Sequence, residues 1–265
     1  MGVQAIVFDL DDTLYPEHDY VHSGFRAVGE WATARWGISA FYETAAELFE
    51  QGVRGSVFNA ALERLGVAYA EEEVAAMLAF YRGHRPAIAL FADAAWALER
   101  FGGEYPLGLI TDGYLETQRR KLEALGIAGR FQALVLSDEL GREHWKPSAK
   151  PYETAAAKLG VAAEACVYVG DNPRKDFVTA RRLGWRTVRI VRAAAASADT
   201  GAELGPDGRR TALTERKEPR TATGTGTPRS GEYARVESLG AEYEAETTIG
   251  SLYELEELLE RWKQK

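Results

Sequence analysis

Val7–Tyr20 reads VFDLDDTLYPEHDY, an apolar run that stops abruptly at three carboxylates, Asp9, Asp11 and Asp12. The run QAIVF that leads into them is too short for a helix and fits a buried strand, whose end delivers all three acids to one loop. Like charges this close repel by about 1 kcal/mol per pair in water, and several-fold more where water is partly excluded. Such a loop needs a cation beside it, or chemistry that uses negative charge.

Outward from this stretch the pattern repeats. PLGLI, QALVL and CVYVG read as further buried parallel strands, each bounded by Gly, Pro or Asp, and WRTVRIV follows as a fifth. Between them DAAWALERFG, YLETQRRKLEALG, PYETAAAKLG and RKDFVTARRLG have helical spacing and end in Gly, the residue that most readily closes a helix. Alternation of this kind predicts an α/β fold, an open doubly wound parallel sheet with ligands gathered at the carboxyl ends of its strands. From Pro16 to Phe91 the alternation gives way to four amphipathic helical segments, so residues 16–91 are expected to form an inserted all-helical cap domain, with 1–15 and 92–265 making the core. Residues 193–231, rich in Ala, Thr, Gly, Arg and Glu with only Leu204 and Leu213 as large aliphatics, are expected to be a disordered insertion within that core. TTIGSLYELEELLERW then returns as an amphipathic terminal helix that docks on the sheet.

The chain has 265 residues, 46% hydrophobic and 27% charged, enough to bury a full core. A formal net charge of -8 argues against nucleic-acid or anionic-membrane binding, both of which need a cationic face, but leaves room for a small anionic substrate held through a metal. The single cysteine, Cys166, lies in an apolar strand and is read as a buried thiol in a reducing cytoplasm. MGVQAIVFDL has neither the basic start nor the cleavage site of a signal peptide, and no stretch is apolar enough to span a bilayer, so export is not expected.

Other strand ends give the acids a context. Thr111 opens TDG, where a hydroxyl precedes an Asp112-Gly113 turn whose backbone N–H groups can face an anion. Lys146 stands in HWKPSAKPY before a proline and a helix start, and Asp171 and Asp176 stand in GDNPRKD, at the turn into another helix. Taken singly, each is an ordinary surface lysine, turn hydroxyl or helix cap. In this order they form the four-part signature of the haloacid dehalogenase superfamily, which the sequence closely resembles over nearly its whole length apart from 193–231. The family's Asp-x-Asp-x-Thr is matched by Asp9, Asp11 and Thr13, its hydroxyl by Thr111, its lysine by Lys146, and its Gly-Asp with a later acid by Gly170, Asp171 and Asp176.

The resemblance implies a Mg2+-dependent phosphatase of small phosphorylated metabolites. Asp9 would attack phosphorus and form an aspartyl-phosphate, while Asp11 protonates the leaving oxygen and then activates water. Asp9, Asp171 and the Asp11 backbone carbonyl would hold Mg2+. Thr111, Asp112 and Gly113 would hold the phosphoryl oxygens, and Lys146 would neutralise charge on them. Asp176 and Thr13 would support these groups from behind, and Asp12 is read as a turn or helix cap.

Asp11 argues against dehalogenation, because halide-displacing members lack it. The first lysine of the chain is Lys121, beyond the cap, which argues against carbon–phosphorus cleavage through a cap Schiff base. A sugar-phosphate mutase using the same intermediate remains an alternative, as does a noncatalytic phospho-ligand sensor. Candidates for substrate selection in the cap are His18, His22, Arg54, Asn59 and Arg85. His18 and His22 lie four apart on one helix face, a spacing that can bind metal, but the sequence offers no third ligand and exposed polar positions are expected. Trp31, Trp36 and Trp96 are read as packing anchors rather than as a platform for a nucleobase.

Overall fold

The computed structural model describes residues 2–192 and 239–263. Residues 193–231, expected from composition to be a disordered insertion, lie outside the described residues. Six short strands, β1 (Ala5–Phe8), β2 (Leu107–Thr111), β3 (Ala133–Leu136), β4 (Cys166–Gly170), β5 (Arg186–Ile190) and β6 (Thr247–Ile249), form one sheet in the order β3-β2-β1-β4-β5-β6. All neighbours are parallel, with Ile6 opposite Leu107 on one side and Val167 on the other. The chain builds outward from β1 to β3, then crosses back to β4, so the acids after β1 and β4 meet at the point where strand order reverses.

The strands are apolar on both sides because both faces are covered. Ile6, Phe8, Leu107, Leu109, Val167 and Val169 belong to one core together with side chains of α5 (Ala92–Gly102), α6 (Leu115–Leu125) and α9 (Glu254–Lys263). Ala5, Val7, Ile110, Cys166 and Tyr168 belong to a second core with α7 (Lys150–Leu159) and α8 (Phe177–Arg182). Cys166 is free and buried. Gly126 and Gly160 take the left-handed conformation that ends α6 and α7, whereas Gly102 remains the last residue of α5.

The final segment differs from its reading as helix alone. Thr247–Ile249 extends the sheet by pairing with Val188–Ile190, and the helix starts only at Glu254. Two β-branched threonines and an isoleucine suit a short edge strand, but three residues carry too little periodicity to separate from the amphipathic run that follows.

Four helices, α1 (Glu17–Trp36), α2 (Phe41–Glu50), α3 (Val57–Arg64) and α4 (Glu71–Gly83), surround an apolar core of their own that includes Phe25, Val28, Phe41, Leu62 and Met77. Trp31 and Trp36 meet edge to face at 5.1 Å beside that core, and Trp96 packs on Phe101 and Tyr253 in the α/β part. All three are packing residues. Among the described residues no helix is long and apolar enough to cross a membrane.

Candidate active site

The strand ends place the reactive groups. Asp9 follows β1 directly, and its backbone N–H donates to the Val169 carbonyl of β4 at 2.8 Å, fastening the loop to the neighbouring strand. Three residues on, Asp12 adopts a left-handed backbone, φ 52°, which a short polar side chain tolerates. Its Oδ1 accepts the Glu17 N–H at 2.9 Å, capping the start of α1. The loop therefore turns sharply and leaves Asp9 buried at the carboxyl end of the sheet, the residue only 4% exposed.

Lys146 neutralises this charge. Its ammonium donates to Asp9 Oδ1, to the Tyr168 hydroxyl at 2.8 Å and to Asp176 Oδ1 at 2.9 Å, with no side-chain exposure. Its own N–H donates to Asp112 Oδ1 at 3.2 Å, which ties the lysine loop to the turn after β2. Asp176 is fully buried, and its second oxygen accepts the Asn172 N–H at 2.9 Å.

One oxygen each from Asp9, Asp171 and Asp176 lies within 4.8 Å of the others. Burial, with Asp176 adding to it, pushes the Asp9 carboxyl up to about 7 despite Lys146, and burial beside Asp176 and Asp9 lifts Asp171 well above its usual range. Asp9 and Asp176 are buried and Asp171 partly so, and with Lys146 bonded to two of them and Lys175 nearby the three carboxylates still outnumber the positive charges. The donors are all carboxylate oxygens, the chemistry of a hard divalent cation.

Asp11 faces elsewhere. Its Oδ1 accepts from Lys121 Nζ at 2.6 Å and from the Tyr15 hydroxyl, and its Oδ2 accepts from Gln118 Nε2 at 3.2 Å. Burial opposes the charge, but Lys121, Tyr15 and Gln118 together hold the carboxyl below its usual value. Gln118 Nε2 also donates to Thr111 Oγ1 and to the Asp112 carbonyl at 2.8 Å, closing the floor of the TDG turn. Gly113, at φ 130°, lies so close that a β-carbon there would stand 3.0 Å from Gln118 Cδ. Thr13 is buried, and its carbonyl accepts from Arg192.

The structure thus brings Asp9, Lys146, Asp171 and Asp176 together, with Thr111, Asp112 and Gly113 on the adjoining turn and Asp11 on the same loop. Of the candidates in the helical unit, His18, His22 and Arg54 gather around Phe49, while Asn59 and Arg85 make other contacts or none among the described residues. Arg54 stacks on Phe49 at 3.7 Å and donates to the Val53 carbonyl at 2.9 Å, Asn59 donates to the Tyr69 hydroxyl at 3.3 Å, and Arg85 is exposed. His18 and His22 converge on Glu50, a partner that sequence reading did not find.

Sequence reading also missed Gln118, Lys121 and Lys175. The first two had a signal: in the α6 segment they interrupt the stripe of Leu115, Leu122 and Leu125, where a soluble helix carries apolar residues. Lys175 had none, since nothing in PRKD separates it from Arg174. Burial and Lys146 disfavour its charge, yet Asp9 and Asp176 outweigh them and raise its affinity for a proton.

The model of the haloacid dehalogenase-like hydrolases matches residues 3–184. The chain belongs to this family. Among curated relatives, a glyceraldehyde 3-phosphate phosphatase of Methanopyrus kandleri is 34% identical over 201 residues, 72% of this chain and 84% of the relative. A phosphoserine phosphatase of Thermus thermophilus is 36% identical over 139 residues, 52% of this chain and 55% of the relative. The solved 2-haloacid dehalogenase of Pseudomonas syringae superposes with a TM-score of 0.58 at 22% identity, covering 98% of this chain and 99% of that one. That likeness concerns the fold. The chain is an enzyme of the family, and these two curated relatives are named phosphatases.

Proposed function

We propose that this enzyme hydrolyses the phosphate monoester of a compact metabolite with Asp9 as nucleophile and Mg2+ as its metal. The observation that carries this reading is the meeting of Asp9, Lys146, Asp171 and Asp176 at the ends of β1 and β4. Asp9, Asp171 and the Asp11 carbonyl would hold the ion, which supplies charge neutralisation so that a carboxylate can approach a phosphate dianion.

The remaining steps belong to this chain's own groups. Asp9 attacks phosphorus in line as the ester oxygen departs, leaving an aspartyl-phosphate for water to open. Asp11 serves as proton donor and then acceptor. Contact with an ammonium favours the charged form, so Asp11 has to leave Lys121 before it can carry a proton to the leaving oxygen. Thr111 and the Asp112-Gly113 backbone are suited to bind phosphoryl oxygens. All three ammonium protons of Lys146 are engaged by protein, so Lys146 acts on the phosphoryl group through the charge it places beside Asp9. Lys175 is hydrogen-bonded through its backbone, but its ammonium has no hydrogen bond or ion pair among the described residues and is free to meet an anion.

The helical unit 16–91 would serve as the cap, with His18, His22, Arg54, Asn59 and Arg85 as the residues from which selectivity is drawn. A cap closing over the strand ends favours small substrates, in keeping with the small phosphate esters named for the relatives. The one buried thiol suits a reducing cytoplasm.

A chromogenic phosphate ester tests the reaction. We expect Mg2+-dependent release of inorganic phosphate, lost on chelation, restored by Mg2+ and abolished in Asp9→Asn. Undiminished turnover by Asp9→Asn would remove the mechanism, and conversion of a sugar phosphate to its isomer without free phosphate would assign the mutase reaction instead.

A further inference from the structure

We propose that His18, His22 and Glu50 form a second metal site, a two-histidine, one-carboxylate centre for a borderline divalent ion such as Zn2+. The two histidines sit one turn apart near the start of α1, and Glu50 is the last residue of α2. His18 Nε2 is 2.9 Å from Glu50 Oε1, and His22 Nε2 is 3.6 Å from the same oxygen. A ligand atom from each of the three residues lies within 4.8 Å of the others. In a tetrahedral zinc site with bonds of about 2.0–2.1 Å, ligand atoms stand about 3.3 Å apart, so small side-chain adjustments would seat an ion.

Two further features favour a metal over a simple histidine–glutamate contact. The His22 Nε2 atom is buried and has no hydrogen-bond partner, although it points toward the carboxylate. On the other side of the ring, Nδ1 is 3.2 Å from the Tyr42 hydroxyl. With Nδ1–H donating to that oxygen, the tautomer leaves the Nε2 lone pair facing Glu50, the outer-shell arrangement that orients metal-binding histidines. The two imidazoles lie nearly stacked, with centroids 4.1 Å apart and planes tilted by 31°, and so present their edges to one point.

Ligand type separates this centre from the acidic cluster of Asp9, Asp171 and Asp176. Imidazole nitrogen selects Zn2+, Co2+, Ni2+ or Cu2+, whereas an all-carboxylate set suits Mg2+. His18 and Glu50 are open to solvent, so an ion can enter without rearrangement of the core. Three protein ligands leave a fourth position for water or a small anion. Because the Glu17 N–H bonds to Asp12, an ion here would fasten the end of α2 close to where α1 leaves the catalytic loop.

The test uses the full chain in excess Mg2+, which keeps the oxygen cluster occupied, with Co2+ and Zn2+ as probes. We expect wild-type protein to retain one equivalent of Zn2+ after gel filtration and to give the intense visible bands of four-coordinate Co2+. His18→Ala and Glu50→Gln, both at exposed positions, should each weaken that binding by more than about tenfold. Asp9→Asn should leave it intact, so this result is independent of the phosphatase reading. Identical Co2+ spectra and Zn2+ stoichiometry in wild type, His18→Ala and Glu50→Gln would overturn the proposal.

Discussion

At Lys146 three N–H groups meet three protein acceptors, and two of these are buried carboxylates. The arrangement keeps Lys146 charged even though burial opposes it, because Asp176 and Asp9 more than compensate. Lys146→Met preserves the bulk and removes the charge, leaving Asp9 and Asp176 in mutual repulsion. We expect kcat on a chromogenic phosphate ester to fall by about 10²–10³-fold, the usual loss when one preorganised electrostatic group is deleted. Steady-state kinetics beside a circular dichroism spectrum would separate that effect from misfolding. Asp9 and Asp171 were legible in the sequence because each directly follows an apolar run, whereas Lys146 and Asp176 were recognised only through the order of the motifs. Tyr15 reaches Asp11 within the loop after β1, whereas Gln118 and Lys121, which the α6 stripe marked only as out of place, meet Asp11 through the packing of α6 against that loop.

At the scale of elements, α1 carries a glycine at a position where helix propensity would favour alanine by about 1 kcal/mol. Gly24 faces the Tyr81 ring of α4, and a β-carbon there would stand 2.2 Å from Tyr81 Cε2. That ring is confined by Tyr20 at 5.5 Å, Phe58 at 5.7 Å and Phe25 at 6.0 Å, so it has little room to withdraw. Gly24→Ala is therefore expected to destabilise the protein by about 1–3 kcal/mol, opposite in sign to the propensity effect. Urea denaturation would measure it, and a gain in stability would contradict the close crossing of α1 and α4. Amphipathic spacing made these helices legible, but nothing in the spacing indicated which pair crosses at Gly24.

Across the whole molecule, Asp93 and Arg192 join parts that are far apart in sequence. The Asp93 Oδ2 atom accepts from Arg192, from the Ser251 hydroxyl at 2.8 Å and from the Leu252 N–H at 2.7 Å, while Arg192 also donates to the Thr13 carbonyl. The start of α5, the residues after β5 and the turn before α9 thus share one carboxylate, and Arg192 links it to the loop after β1. Burial would raise the Asp93 carboxyl, but Leu252, Arg192 and Ser251 hold it below its ordinary 3.8. A carboxyl depressed on folding contributes its stability above the ordinary value and loses it as pH falls through the lower, folded one. Asp93→Ala should accordingly cost about 3 kcal/mol near neutral pH, and the gap to wild type should narrow once the pH drops below about 3.8. Thermal unfolding of both proteins between pH 7 and pH 3 checks the sign.

Short apolar runs determined the parallel sheet, and the order of the four motifs determined the candidate site residues and the family, because strand period and motif order are local properties of the chain. The four helical segments between the first two motifs were equally plain from their period. What depended on tertiary structure was everything set by approach between distant segments: the sixth strand, the Lys121–Asp11 pair, and Glu50 arriving beside His18 and His22. The physical reason is the same in each case. A charge or a three-residue strand acquires its meaning from what is buried against it, and that neighbour is chosen by packing, which no periodicity in the sequence records.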